Sequence, residues 1–438
     1  MKRLINYINN NVLVKVASLN SVSLITRIVG GLLTSNAIAH FIGAEGMALI
    51  GNLRNFVYSV QSIATLGLYN GVVKYIAEFK SNTVELSKTI SSAFYLGFAS
   101  TVVVSFLCYF NSETINDIIF PKYNDYAYVI RIFAIVLPFY TLNLFTFSIM
   151  NGFSKFKILI IINIIGQILG VAVTLLLIYK NRIDGALISV VISESLIFLI
   201  TLVGIVNQRS LLPLIKAAMV NLKTVKKLST FSVMALFSAI VLPMVAIAIR
   251  SYIIDNVGFK EAGFWEAMNR ISKYYLMFVS SLLTLYILPR LSEIDNAKEF
   301  RKEVFNFYKT IIPVFSLGLI VIYFLRSYIV PIVFSNEFKP VEDLFLWQLL
   351  GDFIKVLSIV IAYQFLAKKM FWHYIITEAF SVIILYATSI YFIDMYGVKG
   401  ATIAHFVTYV MYYGVILLIF SSSLFGVIPN KNDLNAND

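Results

Sequence analysis

Charge is scarce in this sequence. Of 438 residues only 13% are Asp, Glu, Lys or Arg, whereas 59% are hydrophobic; ordinary globular domains carry about 25% charged residues. So little charge cannot coat a water-exposed surface, which excludes a multidomain soluble protein and leaves a polytopic membrane protein. Cysteine is almost absent. Cys108 stands alone, so no internal disulfide can form. His40, His373 and His405 are scattered along the chain, which argues against a Cys/His metal site. No Gly-x4-Gly-Lys-Ser/Thr loop occurs, so ATP is not hydrolysed by that route. Gly-x-Ser-x-Gly and His-Glu-x-x-His are missing too. No cofactor, no metal and no nucleic-acid partner are expected.

What the sequence does hold is long apolar runs. Crossing hydrocarbon takes about 20 mostly apolar residues per helix, and twelve such runs are found. They fall near 16–38, 46–73, 88–110, 126–150, 158–179, 185–206, 229–254, 262–288, 307–330, 343–367, 372–394 and 400–424. The connections are short and leave no room for a soluble domain. Lys2 and Arg3 precede the first run as in a signal peptide, but that run is too long and lacks a small-residue cleavage site; it reads as a retained helix. With the N-terminus cytoplasmic, 21 of the 35 Lys and Arg fall on the cytoplasmic side, 7 on the opposite side and 7 within spans. That bias places both termini in the cytoplasm.

The chain also repeats itself at half-length. Gly185-Ala186-Leu187-Ile188 returns as Gly400-Ala401-Thr402-Ile403, Gly46 and Asn52 return as Gly263 and Asn269, and Phe120 returns as Phe334. The offsets stay between 214 and 217. The predicted organisation is a six-helix lobe over 1–208, a basic cytoplasmic linker over 209–228 and a second six-helix lobe with a short tail over 229–438. Even-numbered repeats insert in the same orientation, so an axis along the membrane normal should relate them, with a substrate site between them.

Ionisable groups inside spans are costly and commonly line a cavity or pair with one another. The basic ones are Arg27, Arg54, Arg131, Arg250, Arg270, Lys273 and Lys355; against them stand Glu194, Asp352 and Glu378. Asp352 and Lys355 are three residues apart on one helix and could simply neutralise each other, and Arg250 and Arg131 could snorkel. Arg27, at mid-span, is the hardest to explain without a cavity. A positive cavity suits an anionic ligand, and the guanidinium fork fits phosphate oxygens. The anion-binding set is therefore Arg27, Arg54, Arg250, Arg270 and Lys273. Glu194, Asp352, Lys355 and Glu378 are candidates for ion coupling, a fixed Asp352–Lys355 pair being the competing reading. Pro138, Pro243 and Pro313 lie within spans and predict kinks.

Several stretches carry a resemblance. They include Asn52-Leu53-Arg54, Asn70-Gly71-Val72-Val73-Lys74-Tyr75, Leu242-Pro243 with Arg250, Gly263-Phe264-Trp265, and Leu288-Pro289-Arg290-Leu291-Ser292. Ser335-Asn336-Glu337-Phe338 and Asp343-Leu344-Phe345-Leu346-Trp347-Gln348-Leu349-Leu350-Gly351-Asp352-Phe353-Ile354-Lys355 are the most specific. Along nearly its whole length the chain resembles the Wzx-type flippases, the polysaccharide-transporter branch of the multidrug/oligosaccharidyl-lipid/polysaccharide exporter superfamily. It is most similar to those serving enterobacterial common antigen or O-antigen. Arg27 stands where such relatives carry Lys, and around Asn269, Arg270 and Lys273 the match is poor. The resemblance implies an all-helical exporter fold of two six-helix bundles in a bacterial inner membrane. It implies alternating-access movement of an undecaprenyl-pyrophosphate-linked oligosaccharide to the periplasmic leaflet. It also implies the bilayer, a glycan polymerase and a chain-length regulator as partners. Asn52, Gln61, Tyr69 and Asn70 would then contact sugar. Two other functions compete. A cation-coupled drug exporter would want carboxylates in its binding lobe, against the positive excess here. A membrane polymerase would want acid/base groups on sizeable outer loops, which are missing, so transport is favoured over catalysis.

Overall fold

The computed structural model describes residues 12–205 and 215–425. Lys2, Arg3, Arg209 and Lys431, and the beginning of the predicted linker, lie outside them. Every regular element among the described residues is helical. In chain order these are α1 (Val12–Phe41), α2 (Gly43–Ala64), α3 (Tyr69–Glu78), α4 (Thr83–Phe110), α5 (Ser112–Ile119), α6 (Ala127–Gly152) and α7 (Phe156–Ile205). Then come α8 (Leu222–Asn256), α9 (Phe259–Leu282), a π-helical turn (Leu283–Ile287), α10 (Leu288–Glu293), α11 (Ala297–Val333), a 3-10 segment (Asn336–Leu344), α12 (Phe345–Ala367), α13 (Phe371–Tyr396), α14 (Val398–Ile419) and α15 (Ser421–Phe425).

Ten helical stretches among the described residues are long and apolar enough to cross a membrane. One of them, 156–204, has 49 residues, about 73 Å at 1.5 Å per residue, more than twice the roughly 30 Å hydrocarbon core. It breaks at Arg182, where φ is 50° and ψ −121°, and supplies the fifth and sixth predicted spans. The second predicted span, 46–73, is not a single helix. α2 stops at Ala64, and Leu66 and Gly67 take φ values of 53° and 58° before α3 starts. Left-handed backbone cannot continue the i→i−4 ladder, and Gly67 accepts it without Cβ strain. A Cβ at Gly67 would also press to 3.2 Å from the Ser232 carbonyl oxygen. With α7 counted twice and the broken α2–α3 element once, twelve crossings result. The ninth predicted span, 307–330, is longer than its apolar stretch. α11 runs 37 residues, about 56 Å, so several turns project beyond the hydrocarbon.

By compactness the chain forms two units, Met1–Ile247 and Ala248–Asp438. The change falls inside α8, whose first part packs with the first unit. Leu228 joins the core of Leu68, Val72, Ile76, Leu86 and Ile90, and Ser59 Oγ donates to the Ala239 carbonyl at 3.0 Å. The described part of the predicted linker is pinned to α4, because the backbone N–H groups of Lys216 and Asn221 donate to Ser91 and Ser92 hydroxyls at 2.9 and 3.0 Å. In the first unit α2 is the central helix. Ala44, Gly46, Ala48 and Gly51 are all buried on it, and small residues let neighbouring backbones approach closely where lipid removes the hydrophobic drive between helices. In the second unit α9 has the same character, with Ala262, Gly263 and Ala267 buried.

The repeat reaches further than the sequence motifs. Asn82 caps α4 by accepting from the Glu85 N–H at 3.2 Å, and Asn296, 214 residues on, caps α11 by accepting from Glu299 at 2.8 Å. Ser154 and Lys369, offset by 215, both adopt positive φ, 60° and 54°. Phe120 and Phe334 are both fully buried. Gly185 and Gly400 do the same job, since a Cβ on either would collide with a backbone carbonyl eight residues upstream, that of Leu177 or of Phe392. The helix broken by Leu66 and Gly67 in the first repeat is interrupted at the equivalent place in the second by the π-helical turn at Leu283–Ile287. At positions the repeat does not relate, a tyrosine from another helix meets an aspartate near each hairpin tip: Tyr128 OH donates to Asp184 at 2.5 Å and Tyr252 OH to Asp394 at 2.6 Å.

Candidate substrate cavity

The first unit holds a polar cavity of about 290 Å³. α2 presents Arg54, Val57, Tyr58 and Gln61 to it, an i, i+3, i+4, i+7 set that lies on one helix face. The second half of α7 presents Ser189, Val190, Ser193 and Glu194, its first half Thr174, and α1 contributes Thr34 and Ile38. One carboxylate, one guanidinium, an amide and several hydroxyls thus converge around an apolar floor. Glu194 faces this cavity, and both Arg27 and Arg54 are close enough to act on its charge. Arg27 lies on α1, seven residues before Thr34 (about 10 Å along the axis), and is exposed. Two cations against one carboxylate leave the region positive. The arrangement can bind an anion while offering hydroxyl and amide partners to a polyol.

The other residues expected to contact sugar are not gathered here. Asn52 is fully buried and its Nδ2 donates to the Ile119 carbonyl at 2.9 Å. That bond satisfies the end of α5, so Asn52 holds helices together instead of facing a ligand. Tyr69 and Asn70 lie beyond the helix break on α3. Tyr69 OH accepts from Asn151 Nδ2 at 3.0 Å, and Asn70 is exposed. Only Gln61 of the expected four lines the cavity. Arg131 sits at the start of α6, bonded to the Ser112 hydroxyl at 2.8 Å and to Glu113 at 3.0 Å.

In the second unit the expected cations divide. Arg250 and Arg270 are 1% and 2% exposed and both are held by Glu266. Arg250 Nη2 lies 2.6 Å from Glu266 Oε2, and Arg270 Nε 3.1 Å from Oε1. Arg250 also stacks over the Trp265 ring at 5.2 Å. Guanidinium groups so enclosed are parts of a packed ion triad, and their expected place in an open anion site is corrected accordingly. Arg250 does not snorkel either. Lys273 is exposed and, with Lys355, lines a separate cavity of about 390 Å³ beside the π-helical turn. The competing reading, a direct Asp352–Lys355 ion pair, gives way to another arrangement. Asp352 Oδ1 bonds His405 Nε2 at 2.9 Å, and its Oδ2 accepts from Ser272 at 2.5 Å, from Gln348 at 3.2 Å and from Tyr275. Lys355 Nζ instead lies over the Tyr409 ring at 5.1 Å. Glu378, half-buried on α13, acts on both Lys355 and Tyr409.

The sequence matches the family described as polysaccharide biosynthesis protein over residues 49–343, about two thirds of its length. The chain belongs to the polysaccharide biosynthesis protein family. A relative in Escherichia coli strain K12, lipid III flippase, is 27% identical over 412 residues, which cover 93% of this chain and 98% of that protein. Among solved structures, the inward-facing form of a multidrug-resistance MATE transporter aligns with a TM-score of 0.72 at 10% identity, over 91% of this chain and 98% of that one. The inward closed form of the lipid II flippase MurJ aligns at 0.71 with 16% identity, over 93% and 87%. These likenesses fix the fold as that of the multidrug and lipid exporters, as the sequence resemblance implied. Within the family's match lie most of α2 and all of α7 and α9, hence most of the cavity wall and the Glu266 triad.

The sequence reading missed two groups of residues. Thr34, Tyr58, Thr174, Ser189 and Ser193 line the cavity, yet isolated hydroxyls in apolar runs carry little signal. Glu266 is absent from the tally of span charges, although its i, i+4 spacing to Arg270 was available.

Proposed function

We propose that this protein moves an undecaprenyl-pyrophosphate-linked oligosaccharide from the cytoplasmic to the periplasmic leaflet of a bacterial inner membrane by alternating access, without catalysing a reaction on it. The observation that carries the reading is the hydroxyl-rich cavity of α1, α2 and α7, where Arg27 and Arg54 both act on Glu194, in a chain of this family with ten membrane-length helical stretches among its described residues. Arg27 and Arg54 take the pyrophosphate through charge-assisted bonds. Glu194 balances them while the cavity is empty. Gln61, Tyr58 and the Ser/Thr hydroxyls of the wall bond the first sugars, and the polyprenyl chain stays in lipid. The bias of basic residues supports cytoplasmic termini, and a glycan polymerase and a chain-length regulator would receive the product.

Each lost charge-assisted bond costs about 1.5–3 kcal/mol, roughly ten- to a hundredfold in affinity. In a flippase-null strain, the intact protein should restore surface glycan. Arg54→Ala and Arg27→Ala should lose that rescue at normal membrane abundance, and Arg27→Lys should keep part of it. Normal glycan in both alanine strains would remove the arginines from the site. Restored drug resistance without glycan would point to an exporter of organic cations instead.

A further inference from the structure

We infer that the buried Asp352–His405 pair is a proton-binding site of the second unit, and that its loading drives transport; the second clause rests on the flippase reading, the first does not. The Asp352 side chain is 0% exposed and that of His405 15%. Three helices meet in the pair: α12 brings Asp352 and Gln348, α14 brings His405, and α9 brings Ser272 and Tyr275. The close approach is built into the backbone. Gly351 faces the His405 ring so tightly that any Cβ there would collide with it.

The chemistry selects a proton over a metal ion. An ionised carboxylate only accepts hydrogen bonds, and both oxygens of Asp352 are already engaged by donors. Among the described residues no three His, Cys, Asp or Glu gather into a metal site. Since Asp352 only accepts, His405 must donate from Nε2, which leaves the lone pair on Nδ1. Uptake forms one N–H bond at Nδ1 from a proton carried by water, and the charge of the pair changes from −1 to 0. Release returns that proton to water. Histidine is the side chain whose charge changes near neutral pH. The titratable groups around it are Tyr409 on its own helix, with ring centroids 4.8 Å apart, Lys355 from α12 over that same ring, Glu378 from α13 and Tyr275 from α9. Lys355 also lines the 390 Å³ cavity, so a chain of two side-chain contacts, Lys355 to Tyr409 and Tyr409 to His405, runs from the cavity wall to the pair.

Duplication does not account for this cluster. By the repeat offsets of 214 and 215, Asp352, His405 and Tyr409 correspond to Pro138, Val190 and Glu194. The pair is therefore particular to the second unit. A change of one buried charge where α9, α12 and α14 join alters the bond that ties them, and that gives a proton leverage over the unit's packing.

The test has two arms. With three histidines in the chain, imidazole NMR in detergent micelles assigns His405 by elimination, using His40→Gln and His373→Gln. The His405 signal should respond to pH, and that response should shift by at least one pH unit in Asp352→Asn. In proteoliposomes containing undecaprenyl-pyrophosphoryl-N-acetylglucosamine, an imposed pH gradient should speed lipid movement at least fivefold, and His405→Gln should lose that stimulation. A His405 signal that does not titrate, or is indifferent to Asp352→Asn, overturns the site even if His405→Gln fails to fold. Stimulation that survives His405→Gln, or that the wild type never shows, overturns the coupling. Titration as expected with no lipid movement at all in the wild type overturns the flippase reading and leaves the proton site standing.

Discussion

Replacing Glu266 by Gln removes one negative charge from between two guanidinium groups that are themselves 2% exposed. The bonds at 2.6 and 3.1 Å are lost as ion pairs, and two buried cations face each other. Breaking a buried pair by removing one partner costs about 3–5 kcal/mol, a large share of the roughly 5–15 kcal/mol that holds a domain together. For a unit of some two hundred residues, each kcal/mol shifts the midpoint by about 2–4 °C, so a loss of roughly 6–20 °C is expected. Arg270→Met removes one of the two cations and keeps the Arg250–Glu266 pair; its cost should stay near 1 kcal/mol. Thermal denaturation followed by detergent size-exclusion chromatography, with membrane abundance and surface glycan measured in parallel, reads both. Glu266→Gln at wild-type abundance and midpoint would refute the triad as a stabilising device. Abundant but transport-dead Arg270→Met would return that arginine to the substrate.

Two further outcomes are expected. Gly185→Ala and Gly400→Ala should each destabilise the protein by about 1–3 kcal/mol through overpacking against a backbone carbonyl, visible as lower abundance, while Gly414→Ala, with open space around it, should not. Glu194→Gln takes the counter-charge from Arg27 and Arg54 and should leave abundance unchanged, increase retention of pyrophosphate lipid by the purified protein and slow its transport; unchanged retention would separate Glu194 from the anion site.

The fold was legible because its signals are periodic and long. Apolar runs of membrane length and the recurrence of Gly185 and Phe120 at Gly400 and Phe334 require no knowledge of side-chain direction. The break at Leu66 and Gly67 was not legible: an apolar run reads the same whether or not two of its residues adopt positive φ. The site was half legible. Arg27 and Arg54 stand out because charge in a span is costly, and they act on one carboxylate. Arg250 and Arg270 stand out for the same reason but point to Glu266, because hydropathy locates a charge along the membrane without telling which neighbour neutralises it. His405 was discounted as a metal ligand, for want of companions in sequence; its partner, Asp352, lies 53 residues away.

The aspartate at each hairpin tip bears on biogenesis. With cytoplasmic termini, as proposed above, the short break at Arg182 makes the two halves of α7 a hairpin whose charged tip crosses the hydrocarbon, and α13 and α14 form a second such hairpin. Lys180, Arg182 and Asp184 travel on the first tip, Asp394 and Lys399 on the second. Tyr128 and Tyr252 precede those tips in the chain, so each waits in an already inserted helix. A tip that completes its passage finds a hydroxyl in place, and the bond it makes opposes slipping back toward the translocon.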